Sequence, residues 1–114
     1  MGLFDRRRIR SASSAAEAAD ADYLSAWAAA RSGVEAFVEP ETMVTGLTVV
    51  LVAGDGEWTR RRLRNRRSAQ RLSHRLQIPV YDVEKLGYPQ RMRDHDARRR
   101  IERQRALRQE LEED

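Results

Sequence analysis

The chain has 114 residues, no cysteine, and 22 basic against 18 acidic side chains, for a formal net charge of +4. A chain this long supplies one core and no more, since it buries only about two-thirds of its unfolded surface. The missing cysteines exclude disulfides, thiolate metal sites and cysteine nucleophiles, and no run approaches the ~20 apolar residues of a membrane span.

Residues 1–13, with Arg6, Arg7, Arg8 and Arg10, read as a basic, disordered Ser/Ala-rich tail. No apolar run follows those arginines, so no secretory signal is expected and a cytoplasmic protein is. Ser14 and Glu17 have capping-box spacing, and the Ala-rich stretch behind them predicts a helix over about 15–32. Tyr23, Trp27 and Ala30 recur on one face of it, and Gly33 supplies a left-handed stop.

Val34, Ala36 and Val38 alternate with Glu35, Phe37 and Glu39, a strand that Pro40 ends. Leu47–Ala53 is almost continuously apolar and predicts a central strand. Gly54-Asp55-Gly56 is a hairpin signal, after which Glu57–Leu63 returns with Trp58, Arg60 and Arg62 on one face and Thr59, Arg61 and Leu63 on the other. Asn65 caps a second helix to about Gln77, with Ala69, Leu72 and Leu76 as its apolar stripe. Ile78–Val83 reads as a short fourth strand, Gly87-Tyr88-Pro89 as a loop, and Gln90–Glu112 as a long helix with Asp94/Arg98 and Asp96/Arg100 at i, i+4.

The expectation is an α+β fold: helix, three-stranded antiparallel meander, helix, short fourth strand, long charged C-terminal helix. The domain plan is a tail over 1–13, a compact unit over 14–89 and a projecting helix over 90–114.

Charge is distributed unevenly. Residues 11–58 hold eight acids against Arg31 alone, whereas 59–80 hold eight arginines and no acid. Arginine forks suit phosphate and carboxylate, and Arg66 and Arg67 at a helix N-terminus reinforce an anion site. Trp58, beside Arg60 and Arg62, could stack a base. The competing reading has Trp58 in the core and the arginines neutralised by the acidic block. His74 reads as a surface histidine. Asp94-His95-Asp96 reads as solvated helix surface, because adjacent helix residues diverge by about 100° and cannot all face one ion. Gly54-Asp55-Gly56 lacks the third glycine of a dinucleotide fingerprint and the lysine of a P-loop. Neither a catalytic set, a metal site nor a cofactor is expected.

Asn65, Arg66, Arg67 and Ala69, within an order of helix, three strands and helix, resemble the start of the second helix in double-stranded-RNA-binding domains. In that family the basic pair grips phosphates across a groove. Pro40-Glu41-Thr42-Met43 departs from the family's Pro-His type loop contact, and the fourth strand and tail helix have no counterpart there. A broader resemblance, through Gly56–Arg61, Ile78–Val83 and Gly87–Asp94, is to a small actinobacterial family without assigned function. Some of its members carry the label oxidoreductase, for which this chain has no redox cysteine, nucleotide fingerprint or flavin motif.

The residues favour a non-enzymatic binding protein that contacts RNA or a ribonucleoprotein through Trp58, Arg60, Arg62, Arg66, Arg67 and Arg71, mainly by phosphate neutralisation. The alternatives are a protein-interaction module pairing with itself or a partner through 90–112, a small enzyme with a site near Tyr81 and Asp82, and weak membrane attachment through Leu3, Phe4 and Arg6–Arg10.

Overall fold

The structure, a computed structural model, describes the backbone of residues 3–113 and the side chains of residues 15–113. Its first helix, α1, spans Leu3–Ala29, twelve residues more at its N-terminal end than the capping-box spacing predicts. Residues 3–13, expected as a tail, are therefore helical in backbone. Arginine and alanine are strong helix formers, and an established helix propagates through them until a breaker intervenes. Glu17 thus lies mid-helix and accepts from Ser68 Oγ at 3.0 Å.

The meander follows as β1 (Glu35–Val38), β2 (Leu47–Val52) and β3 (Trp58–Leu63), all antiparallel. α2 (Arg66–Leu76) then carries the chain across the sheet to β4 (Val80–Asp82), which pairs parallel with β1 through Ala36/Val80, Phe37/Tyr81 and Val38/Asp82. The order β3-β2-β1-β4 leaves β2 interior and fully buried, as its nearly continuous apolar run leads one to expect. Asn65 caps α2 as its residue type predicts, its side chain accepting from Ser68 N at 3.0 Å.

Side chains alternate strictly across the sheet. One face presents Val34, Ala36, Val49 and Leu51 to Leu24 and Trp27 of α1 and Leu72 of α2. The other presents Phe37, Val50, Val52 and Trp58, covered by Tyr88 and by Met92. Met92 belongs to α4 (Gln90–Glu113), which follows a single turn, α3 (Val83–Leu86). The hairpin tip meets α4 backbone to backbone. Gly56 has φ +92°, and a Cβ there would lie 2.0 Å from the Arg91 carbonyl oxygen, so only glycine fits.

Beyond its first two turns α4 leaves the body. Every residue from 97 to 113 is exposed, and the molecule measures 63 × 34 × 28 Å. No helix among the described residues is long and apolar enough to cross a membrane.

Candidate anion-binding surface

The six residues singled out by the sequence fall into two groups. Trp58, Arg60 and Arg62 do share one face of β3, as their alternation predicts, but it is the face α4 covers. The Trp58 indole N–H donates to Asp96 Oδ1 at 2.9 Å, its ring packs in the Met92 cluster, and Arg60 sits 5.1 Å from its centroid. Its ring is thus engaged within the fold.

Arg60 closes a polar knot. Its Nε and Nη2 donate to the two Glu39 oxygens at 2.5 and 3.0 Å, and Thr48 Oγ1 donates to Oε1 at 2.8 Å. The Tyr88 hydroxyl also donates to Glu39. Burial pushes the Glu39 carboxyl up, but the bonds from Arg60, Tyr88 and Thr48 outweigh it and hold the group below the usual carboxylate range. The Tyr88 phenol is raised by burial and by its bond to Glu39. Both carboxylate oxygens are engaged, so Glu39 is a structural anion with no spare basicity for catalysis. Arg62 is used differently, its Nε donating to Thr45 O at 2.9 Å and so bracing the β1–β2 loop.

Arg66, Arg67 and Arg71 stand on α2, and all three are exposed. Arg66 lies 3.6 Å from Asp82. Arg67 and Arg71, one turn apart, have no carboxylate within 4 Å among the described residues. With Gln70 and His74 they line a shallow, open depression of about 450 Å³. Arg71 also borders, with Arg62 and Arg75, a cavity of about 360 Å³ between α1 and α2, floored by Leu24, Leu63 and Leu72. The α2 arginines therefore stand apart from Trp58 and Arg60, and from the Arg62 guanidinium, which is held at the β1–β2 loop.

The remaining arginines of the run are paired with acids. Arg61 lies 3.8 Å from Asp20 and 3.7 Å from the Tyr23 ring centroid. Arg64 reaches Glu17 at 3.9 Å, and Arg75 reaches Asp22 at 3.1 Å. Earlier in the chain, Arg31 makes a two-pronged contact with Glu57 at 2.8 and 3.0 Å, which holds the Glu57 carboxyl below its ordinary range. These exposed pairs contribute little individually, about 0–1 kcal/mol each, but together they neutralise the strand side of the basic run.

Residue-by-residue reasoning missed Glu39 and Arg91. Arg91 Nη2 reaches Glu35 at 2.6 Å while its Nε donates to Ala53 O at 2.9 Å, tying α4 to the sheet. The available signal was the acidic block 11–58 set beside the basic block 59–80. Among the described residues no three His, Cys, Asp or Glu side chains converge as metal ligands.

Comparisons with family models, with curated proteins and with solved structures return no match.

Proposed function

We propose that this chain is a non-enzymatic binding protein whose exposed α2 face contacts a polyanion, with RNA or a ribonucleoprotein as the partner class that fits best. The observation that carries this reading is the pairing pattern: the arginines at 60, 61, 64 and 75 have carboxylate partners, whereas Arg67 and Arg71, both exposed, have none among the described residues. Arg66 flanks them on the same helix.

An open surface carrying arginines along a helix suits a chain of repeated phosphates better than one small anion. The similarity of Asn65, Arg66, Arg67 and Ala69 to a phosphate-gripping helix start supports the same class. Contacts of this kind position a backbone and carry no sequence readout.

The test is fluorescence anisotropy of nuclease-treated protein with labelled duplex RNA, single-stranded RNA and duplex DNA. With three or four phosphates neutralised, raising salt from about 50 to about 200 mM weakens duplex binding by roughly 40- to 150-fold. Arg67→Gln with Arg71→Gln abolishes most of the affinity at unchanged melting temperature, while Trp58→Phe leaves it intact. Equal binding by the double variant, or none by the parent at low salt, sinks the reading.

A further inference from the structure

The outer part of α4 has a built-in complementarity that the body of the molecule leaves unused. From residue 97 to 113 it is exposed throughout, yet it carries Ile101, Leu107 and Leu111 at 48, 58 and 69 % exposure. At ~100° per residue these three and Ala97 fall within an arc of roughly 120°, a narrow, interrupted apolar stripe. Charge is also segregated along the axis. Arg98, Arg99, Arg100, Arg103, Arg105 and Arg108 fill the near part against Glu102 alone, and Glu110, Glu112 and Glu113 close the tip. The last turn has no basic residue, so its glutamates face the negative end of their own helix dipole, the unfavourable placement.

We propose that α4 pairs antiparallel with α4 of a second copy of this chain, apolar stripe to apolar stripe. Placing Leu111 of one copy beside Ile101 of the other brings Leu107 close to the two-fold axis. That register sets Glu110 alongside Arg103 on one flank of the stripe and Glu112 alongside Arg98 on the other, each contact occurring twice by symmetry. The acidic tip meets the basic section of its neighbour, which relieves the clash with the dipole. A parallel pairing would oppose arginine to arginine and glutamate to glutamate, so charge selects the direction. Arg98 also donates to Asp55 O at 2.9 Å, which uses one of its several N–H groups and holds it at the base where the incoming tip ends. Arg100, Gln104 and Arg108 interrupt the stripe, so the pairing is weak and concentration-dependent. It is independent of the α2 reading.

The experiment is sedimentation equilibrium of the full, nuclease-treated chain from about 1 μM to about 1 mM. The mass-average is expected to climb from 13.2 kDa toward twice that value, and to climb less at high salt. Leu107→Asp with Leu111→Asp is expected to stay monomeric throughout with the domain still folded. Because the chain has no cysteine, direction can be trapped by disulfide formation. A tagged Ile101→Cys variant mixed with an untagged Leu111→Cys variant cross-links faster than either variant alone. A monomer at every concentration overturns the proposal. Preferential homodimer cross-linking of Leu111→Cys overturns it too, by showing a parallel pair, as does unchanged association of the double aspartate variant.

Discussion

The two faces of the sheet are closed by different chemistry. Under α1 and α2 the contact is mainly apolar, with Leu24, Val49 and Leu51 at 1 % exposure or less, and the pairs of Arg61, Arg64 and Arg75 with α1 lie at its exposed rim. Under α4 a small apolar patch around Met92 is framed by ion pairs and hydrogen bonds: Arg91 to Glu35, Trp58 to Asp96, Tyr88 and Arg60 to Glu39. Apolar burial is indifferent to pH and salt, whereas a charged latch responds to both. The first face therefore holds the fold together, and the second is where one element can come away with the rest intact.

Leu24→Ala should have the largest effect, since it empties a site at the centre of the first face. The expected loss is about 2–5 kcal/mol, seen as one cooperative shift of the whole denaturation curve. A curve that splits in two would contradict the assignment of this face as the shared core. Gly56→Ala comes next, combining a strained positive φ of about 1–3 kcal/mol with an overlap that only movement of α4 relieves. Trp58 emission, read in a Trp27→Phe background, should shift to the red while far-ultraviolet dichroism changes little. An unshifted spectrum would mean that the hairpin tip and α4 are not in contact.

Arg60→Met leaves Glu39 buried without its cation, at about 1–2 kcal/mol, the lower part of the range for an orphaned group because Arg60 is 43 % exposed. The same knot predicts a pH dependence. The Glu39 carboxyl in the fold lies below its unfolded value, so its stabilisation is complete above the unfolded pKa of about 4.3 and disappears as pH falls through the lower, folded one. Native-state hydrogen exchange should show the first turns of α4 opening before β2 does, more readily at acid pH, and Arg60→Met should make that early opening less dependent on pH. The smallest effect belongs to Arg67→Gln and Arg71→Gln. Each should change stability by less than about 0.5 kcal/mol, and a larger loss in thermal melts would mean that these side chains have partners within the fold.

Much of this layout was legible in the sequence. Period-two alternation placed β1 and β3 with the right faces, the nearly continuous apolar run placed β2 in the interior, and Asn65 marked the start of α2. Ser14 and Glu17 misled, because capping-box spacing also occurs inside a long helix whose preceding residues favour helix. The parallel pairing of β4 with β1 was not readable, since a three-residue strand carries no record of its neighbour. The division of the arginines was hidden for a similar reason. Arg60 meets Glu39 from 21 positions away and Arg75 meets Asp22 from 53, so the block charges announce that pairs will form without saying which arginines remain over.

One consequence concerns the outermost strand. β3 has a neighbour on one side only, and an open backbone edge is a template on which another polypeptide can add itself. Of the three arginines in the middle of that edge, Arg60 and Arg61 are neutralised by Glu39 and Asp20, whereas exposed Arg62 has no carboxylate within 4 Å among the described residues and opposes stacking of one molecule on the next. Arg62 thus acts as a gatekeeper whatever the α2 face binds. Exchanging Arg61 and Arg62 for threonine, a good strand former, would leave a folded protein with an unguarded rim, and its signature would be slow fibril growth on storage.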